Sequence, residues 1–202
     1  SLYISAAGVF EAYLNGKKIG NEYLTPYLTD YKKWIQVITF PVEEYLSTEN
    51  RLEILTGKGW YMGRFGMPAR ENTYGDKMAV IAELHLYYED GSEETLSTDD
   101  TWKYRASDIE KTGIYDGERI NRLLWKNREN EDRPVKVLND VSDMHGCIDK
   151  KNLRDRLSLP VRYKESIPVR AVLHTPAGET VLDLGQNFAG IIEFTADFPS
   201  GT

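Results

Sequence analysis

Aromatic and cationic side chains gather in one glycine-rich stretch, residues 57–66, which reads GKGWYMGRFG. Glycine at this density allows the backbone to turn sharply and lets a partner approach it closely. Trp60 and Tyr61 offer apolar rings on which a sugar can stack, and Arg64 offers planar donors for its hydroxyl groups. The alternative is a loop that tucks Trp60 into the core and uses its glycines only for turning. The stretch by itself leaves both interpretations open.

Carboxylate pairs are the second candidate for chemistry, because hydrolysis of a glycosidic bond requires two carboxyl groups held across a cleft. Asp116 and Glu118, in the segment IYDGE, form the tidiest pair. The chain contains 32 acidic residues, so such pairs arise readily, and this spacing is more typical of a turn. No G-x-S-x-G nucleophile motif is present either. We therefore predict no catalytic residue in the chain.

The signals for metal and phosphate sites are partial. Calcium binds oxygen donors in irregular loops, and the candidates of this kind are Asn15, Asn72, Asp76 and Asp116. His145 and Cys147 supply only two ligands for a transition metal, and Cys147 is the single cysteine, so no internal disulfide can form. The segment 185–190 (GQNFAG) lacks the lysine and the glycine spacing of a phosphate-binding loop.

The composition is that of an ordinary globular protein. Of 202 residues, 41% are hydrophobic and 28% are charged, and 32 acidic residues outnumber 25 basic ones, which gives a net charge of −7. This balance argues against nucleic acid and anionic membrane surfaces as partners, because both require clustered lysine and arginine. No apolar run approaches the roughly 18 residues needed to cross a bilayer.

Short runs of β-branched and aromatic residues, separated by turn residues, recur along the chain. They predict strands at residues 2–5, 9–14, 17–19, 34–40, 51–55, 78–89, 93–97, 102–106, 135–138, 157–162, 169–175, 180–184 and 191–196. Asn15 and Gly16 predict a hairpin turn, residues 42–46 a single helical turn, and residues 125–133 and 139–153 loops. No amphipathic helix of three turns is present. The pattern predicts an all-β protein, an antiparallel β-sandwich.

A restart of the strand pattern near residues 157–164 marks a candidate domain boundary. The remaining stretch of about 40 residues cannot bury a sandwich core of its own. It therefore either completes the first core or begins a second domain. The first residues, SLYISAAG, and the last, FPSGT, stand beside strand-like runs, and we interpret both ends as cut from a longer protein.

Six blocks of sequence, in this order, carry a resemblance to a known family: GVFEAYLNGKKIG, LTPYLTDYKKWIQVITFPV, GKGWYMGRFG, NTYGDK, IYDGE and DLGQNFAG. Together they resemble the N-terminal β-sandwich region of bacterial α-L-rhamnosidases of glycoside hydrolase family 78. The resemblance implies a galactose-binding-like jelly roll over residues 1–158 and the start of a second β-sandwich over 159–202. It also implies a multidomain parent that removes terminal α-L-rhamnose with carboxylates on an (α/α)6 barrel beyond DLGQNFAG. This chain would then be an accessory segment without hydrolytic activity.

In some relatives the first sandwich is a rhamnose-binding module of carbohydrate-binding family 67 that uses calcium. The resemblance carries this role to the turn residue Asn15 and to the loop before Gly59, where Gly57 and Lys58 stand in place of the frequent Asp or Asn. A lysine repels a cation, which argues against calcium here. The predicted carbohydrate-binding residues are Asn15, Trp60, Tyr61, Arg64, Asn72, Tyr74, Asp76, Asp116 and Glu118. The expected partners are terminal L-rhamnose and the other domains of the parent; the alternative is a structural sandwich that packs on the catalytic domain and binds no ligand.

Overall fold

The computed structural model describes residues 1–123, 131–138, 148–195 and 197. The chain divides into two compact units, Ser1–Tyr163 and Lys164–Thr202. His145 and Cys147 lie outside the described residues, as do large parts of the predicted loops 125–133 and 139–153. Within the described part, no helix is long and apolar enough to cross a membrane.

Strands account for nearly all the regular structure. The one-turn helix α1 spans Gly59–Met62, and 3-10 turns span Glu43–Tyr45 and Lys150–Asn152. The strands are β1 (Leu2–Ala7), β2 (Val9–Leu14), β3 (Lys17–Lys18), β4 (Ile35–Phe40), β5 (Leu52–Gly57), β6 (Ala79–Tyr87), β7 (Glu93–Ser97), β8 (Lys103–Tyr104), β9 (Ile109–Gly113), β10 (Gly117–Ile120), β11 (Arg133–Pro134), β12 (Leu153–Asp155), β13 (Ala171–His174) and β14 (Thr180–Asp183).

The first unit is a β-sandwich of two main sheets, as the sequence predicts. One sheet has five strands in the order β12-β4-β1-β6-β7, and the other has three in the order β3-β2-β5. Two short ribbons, β8 with β11 and β9 with β10, accompany them. The predicted antiparallel sandwich is confirmed, with one parallel pair at an edge, where β12 lies beside β4. A parallel neighbour requires a long crossover, and here the chain returns to β4 only after more than a hundred residues.

The core lies between these two sheets because alternate side chains of each strand point inward. Leu2 and Ile4 of β1 and Ile38 of β4 come from the five-stranded sheet, and Phe10 and Leu14 of β2 come from the three-stranded one. All five are at most 3% exposed and belong to one cluster. Full burial of such side chains stabilises the fold by about 1.5–3 kcal/mol each. The period-two pattern of the sequence therefore reports the sandwich directly.

Most of the predicted strands are confirmed. Regular strand is found within the predicted ranges 2–5, 9–14, 17–19, 34–40, 51–55, 78–89, 93–97, 102–106, 169–175 and 180–184. The hairpin turn is confirmed as well: Asn15 and Gly16 adopt φ values of 55° and 75°, as a tight turn between β2 and β3 demands. The predicted helical turn is present as the 3-10 turn Glu43–Tyr45.

Three predicted strands are wrong. Residues 135–138 contain no strand, nor do the described residues 191–195, whose apolar side chains are exposed. Residues 157–162 form only an isolated bridge, which joins Arg162 to Glu22. The reason is visible in the hydrogen bonds, because the backbone N–H groups of Leu157 and Ser158 donate to the Gln36 side chain at 3.1 Å instead of to a neighbouring strand.

A strap formed by residues 148–163 closes the first unit. It contributes β12 to the five-stranded sheet, and Gln36 then fixes it as described above. Further along, the carboxylate of Glu22 accepts hydrogen bonds from Arg156 at 2.5 Å and from Arg162 at 3.2 Å. The compact unit consequently continues past Ser158 to Tyr163.

The second unit contains a single described hairpin, β13 with β14, in which Ala171 lies opposite Asp183. Its strands carry exposed apolar side chains: Val172, Leu173, Val181 and Leu182 are 42–57% exposed. A two-stranded hairpin with uncovered faces is marginally stable in water and needs additional strands. The start of a second sandwich in this region thus stays a prediction, and the need of this hairpin for additional strands agrees with it.

Candidate functional site

The glycine-rich loop is delivered by β5 and packs on the first residue of β2. Val9 pairs with Gly57 at this end of the three-stranded sheet, and α1 begins two residues later. Gly59 has a φ of +52°, and a Cβ placed on it would lie 2.6 Å from Cγ1 of Val9. A side chain at this position would therefore push the loop off the strand, so glycine is required here for close approach as well as for turning.

Tyr61 supports the loop from below rather than facing solvent. It is fully buried, and its ring meets the edge of Tyr31 at a centroid distance of 5.3 Å. Tyr74 contacts the same Tyr31 ring at 4.9 Å and stacks on Phe65 at 6.1 Å. A Cβ on Gly75 would lie 2.0 Å from the Tyr61 hydroxyl oxygen. The structure thus places Tyr61 in a small aromatic core, whereas Trp60 is only half-buried.

Residues 70–76 fold back over α1 and complete the loop. The backbone N–H of Asn72 donates to the carbonyl of Met62 at 2.9 Å, and that of Tyr74 donates to the carbonyl of Tyr61 at 3.2 Å. Asn72 adopts a φ of 58°, and its side chain is exposed. Asp76 is likewise exposed. These bonds bring Asn72 and Tyr74 next to α1, as the sequence predicts for residues of one site.

An ion pair links the loop to the β9–β10 hairpin. Arg64 Nη2 donates to Asp116 Oδ1 at 2.6 Å, and Nε lies 3.2 Å and 3.3 Å from the two carboxylate oxygens. The guanidinium also lies over the ring of Tyr115, 5.8 Å from its centroid. The Tyr115 hydroxyl in turn accepts a hydrogen bond from the backbone N–H of Gly66 at 3.3 Å. Arg64 is therefore held in one orientation while its side chain stays 42% exposed.

Two lysines and a further carboxylate lie around this ion pair. Hydrogen bonding to Asp116 raises the pKa of Arg64, and the same bond holds the pKa of Asp116 below its usual value, with help from Lys111 and Lys58. Lys58 itself lies 3.7 Å from a carboxylate oxygen of Glu71. Asp116 and Glu71 thus each have a cationic partner, and the lowered pKa of Asp116 favours its ionised form.

We call the solvent-accessible part of this region the loop patch and define it by the half-buried Trp60, Arg64 and Tyr74 and the exposed Asn72, Tyr115 and Asp116. Tyr115 is the one member that the sequence-based prediction omitted, although it stands inside the IYDGE block. Glu118 lies just beyond the patch on β10, opposite Thr112, with an exposed side chain.

Asn15 lies at the opposite end of the sheet. It follows the last residue of β2, whereas the loop contacts the first, and a six-residue strand separates the two ends by about 17 Å. Its side-chain amide donates to the carbonyl of Tyr45 and to Asn50, both at 2.9 Å, and accepts from the N–H of Arg51 at 2.8 Å. The structure therefore gives Asn15 a role in tying three turns together and does not bring it to the loop patch.

The loop patch does not fit a calcium ion. Calcium takes six to eight oxygen ligands, usually including several carboxylates. Among the described residues, no three Asp, Glu, His or Cys side chains are gathered as a metal site requires. The Asp116 carboxylate is occupied by Arg64, and the ammonium of Lys58 stands beside Glu71.

A shallow groove of about 290 Å³ lies on the outer face of the five-stranded sheet. Tyr3, Val37, Ile81, Glu83 and His85 are among its lining residues. The ring of Tyr3 meets that of His85 at 5.0 Å, and His85 Nε2 lies 3.2 Å from Glu83. The prediction that His85 is packed and hydrogen-bonded is confirmed. This groove is a concave surface separate from the loop patch.

Comparison with known proteins gives a consistent result. Residues 1–165 match the family model of the α-L-rhamnosidase N-terminal domain. An α-L-rhamnosidase from Streptomyces avermitilis is 30% identical over 210 residues, which cover 100% of this chain and 20% of that protein. The chain spans about a fifth of the length of the curated relatives that it matches.

Solved structures agree. The crystal structure of the Streptomyces avermitilis α-L-rhamnosidase, complexed with L-rhamnose, is similar with a TM-score of 0.77 and 29% identity, covering 92% of this chain and 18% of that one. The native α-L-rhamnosidase of Aspergillus terreus is similar with a TM-score of 0.76 and 28% identity, covering 92% and 22%.

Proposed function

Because the chain belongs to the α-L-rhamnosidase N-terminal domain family, we propose that it is an accessory, carbohydrate-binding segment of a larger α-L-rhamnosidase. Its ligand is a terminal L-rhamnose unit, which it binds at the loop patch. The catalytic carboxylates of the parent lie outside this chain, and the segment contributes affinity for the substrate rather than chemistry. The partners are the sugar and the remaining domains of the parent enzyme.

One observation carries the proposal: Arg64 is exposed, yet fixed. Its contacts with Asp116 and with the face of Tyr115 hold the guanidinium in place before any ligand arrives. A donor that is already ordered loses little side-chain entropy when it binds a hydroxyl group. The neighbouring half-buried Trp60 and exposed Tyr115 provide apolar ring surface of the kind on which sugars stack.

The second candidate function is a purely structural sandwich, and the burial of Tyr61 favours it. The rings of Tyr61 and Tyr31 belong to a small core that the loop helps to cover. The loop therefore has a packing role whether or not a sugar binds. The two functions differ in what the exposed residues do. A structural role leaves Trp60 and Arg64 without effect on any ligand.

Calorimetric titration of the chain with L-rhamnose tests the proposal. We expect a saturable heat and a dissociation constant near millimolar, which corresponds to a binding free energy of about −4 kcal/mol. An affinity of this size suits one small ligand on an open patch. Trp60→Ala should weaken binding about tenfold through lost ring contact. The matched control is Trp102→Ala, which removes another half-buried tryptophan outside the patch.

Absence of heat at tens of millimolar sugar (roughly ten times the expected constant), with protein shown to be folded by circular dichroism, would support the structural role and contradict the proposal. A separate assay checks the placement of catalysis. The chain alone should not cleave a chromogenic α-L-rhamnoside, and turnover by this segment would show that its own carboxylates are catalytic.

A further inference from the structure

We propose that the loop patch binds its sugar without calcium, and that Arg64, positioned by Asp116, supplies the fixed positive charge that orients the sugar hydroxyls. This inference rests on the proposed function and adds the chemistry of recognition. It follows from which charges the structure brings to the patch and from which atoms they leave available.

The first step is the charge of the site. Asp116 faces Arg64 at 2.6 Å, and both Lys58 and Lys111 add to the positive potential at its carboxylate. Glu71 is paired with Lys58 at 3.7 Å. A divalent cation entering here would have to displace a guanidinium from its carboxylate and approach two lysines. The electrostatic repulsion and the loss of the ion pair both oppose its binding.

The second step is the geometry of the Arg64 side chain. Its Nε and Nη2 atoms are directed at the Asp116 oxygens. Within residues 1–123, 131–138 and 148–195, the structure assigns no acceptor to Nη1, so the two N–H groups on this atom remain for a ligand. Because this nitrogen is planar and fixed, its two N–H groups can donate to the oxygens of two adjacent hydroxyl groups on the sugar ring. A bound cation would contact the same pair of oxygens.

The third step is the rigidity of this arrangement. The guanidinium lies over Tyr115, whose hydroxyl accepts from Gly66, so the arginine is held from the hairpin and from its own loop. Asp116 thus acts as a positioning residue, because its carboxylate oxygens are bonded to Arg64. Removing the Asp116 carboxylate would leave the positive charge of Arg64 in place, but the guanidinium would no longer be held in one orientation.

Calcium alone provides a test that does not depend on sugar binding. We expect calcium chloride at millimolar concentration to give no binding heat beyond dilution and no shift in the melting temperature relative to EDTA. A saturable heat or a calcium-dependent rise in melting temperature would overturn the inference even if no sugar bound.

Titration with L-rhamnose in EDTA and in calcium tests whether sugar binding depends on calcium. We expect equal dissociation constants in both buffers. Binding that requires calcium would refute the inference while leaving the proposed function intact. Absence of binding in both buffers would refute the proposed function, and this inference with it.

Variants then identify the cationic group. Arg64→Lys keeps the charge but not the planar fork, and we expect affinity for L-rhamnose to fall about tenfold, the worth of one hydrogen bond to a charged group. The matched control is Arg119→Lys on β10, an exposed arginine paired with Glu110 at 3.0 Å. Full affinity in the Arg64→Lys variant would show that the fork is not used.

Asp116 is tested by rescue. Asp116→Asn should weaken binding several-fold, and Asp116→Glu, which can still pair with Arg64, should restore most of the affinity. Circular dichroism establishes that both variants are folded. Equal losses in the two variants would contradict a positioning role through the ion pair.

Discussion

The buried carboxylate of Glu22 allows a direct test of the interactions that hold the first unit together. Its side chain is only 4% exposed, and it accepts hydrogen bonds from the Tyr27 hydroxyl at 2.5 Å, from Arg156 at 2.5 Å and from Arg162 at 3.2 Å. Two of these donors belong to the strap, so the carboxylate fastens residues 148–163 to the sandwich. The substitution Glu22→Gln removes the charge while keeping the size of the side chain.

The expected cost of Glu22→Gln follows from burial. Removing one member of a buried ion pair costs about 3–5 kcal/mol of unfolding free energy, because the remaining charge loses its partner. The two arginines are 26% and 46% exposed and can turn toward water. We therefore expect the lower end, about 3 kcal/mol, which corresponds to a drop of about 6–12 °C in melting temperature for a chain of this size.

Glu53→Gln is the matched control. Glu53 also lies between two arginines, Arg51 at 2.9 Å and Arg105 at 3.4 Å, but its side chain is 41% exposed. Exposed pairs of this kind contribute less than about 1 kcal/mol. Urea unfolding followed by tryptophan fluorescence measures both variants, and all four tryptophans lie before Lys164, so the signal reports the first unit alone. Equal losses in the two variants would refute the reasoning.

The pH dependence of Glu22 gives an independent check. Burial raises the pKa of this carboxyl, but the hydrogen bonds from Arg156, Tyr27 and Arg162 outweigh it and hold the pKa below the usual value. The group therefore stabilises the fold above the unfolded pKa of about 4.3 and loses this effect as the pH falls through its folded pKa. The stability difference between wild type and Glu22→Gln should be full at pH 7 and should shrink below about pH 4. A difference that grows in acid would contradict this assignment.

Three further changes have distinct expected outcomes. Gly75→Ala places a methyl group 2.0 Å from the Tyr61 hydroxyl, so it should lower unfolding free energy by about 1–3 kcal/mol in urea titrations; no loss would show that the loop yields easily. Asn15→Ala loses three turn-linking hydrogen bonds, so it should lower stability by about 1–2 kcal/mol but leave rhamnose affinity measured by calorimetry unchanged. Gln36→Leu strands the strap's N–H groups and should increase proteolysis after Arg156 or Arg162; unchanged cleavage would show that Gln36 does not hold the strap.

The sandwich itself was predictable because burial of one sheet face imposes alternation on the sequence. The strands β1, β2, β4 and β6 each carry inward-facing apolar residues of the core, and each was predicted near its observed bounds. The β9–β10 hairpin was not predicted, because its strands read IEKTG and GERI and lie on the surface. Without a buried face there is no alternation to detect, and only the IYDGE block marked the corner between them.

The sequence predicts which residues belong to the site better than it predicts what each of them does there. The sequence places Tyr61 next to Trp60 in the predicted site, and only packing against Tyr31, thirty residues earlier in the chain, shows that Tyr61 is buried. The predicted site also includes Asn15 together with the loop, although the antiparallel register of β2 and β5 places the two at opposite ends of the strands. Long-range partners such as Asp116 for Arg64 follow from the fold and not from local spacing.

Proton–nitrogen correlation spectra recorded during addition of L-rhamnose show directly where on the chain the sugar binds. We expect saturable shifts of the Trp60 indole N–H, the Arg64 side chain and the backbone amides of the loop, with the Asn15 side-chain amide unmoved. Spectra that remain unchanged at saturating sugar, or shifts confined to Tyr3 and His85 in the groove of the five-stranded sheet, would contradict it.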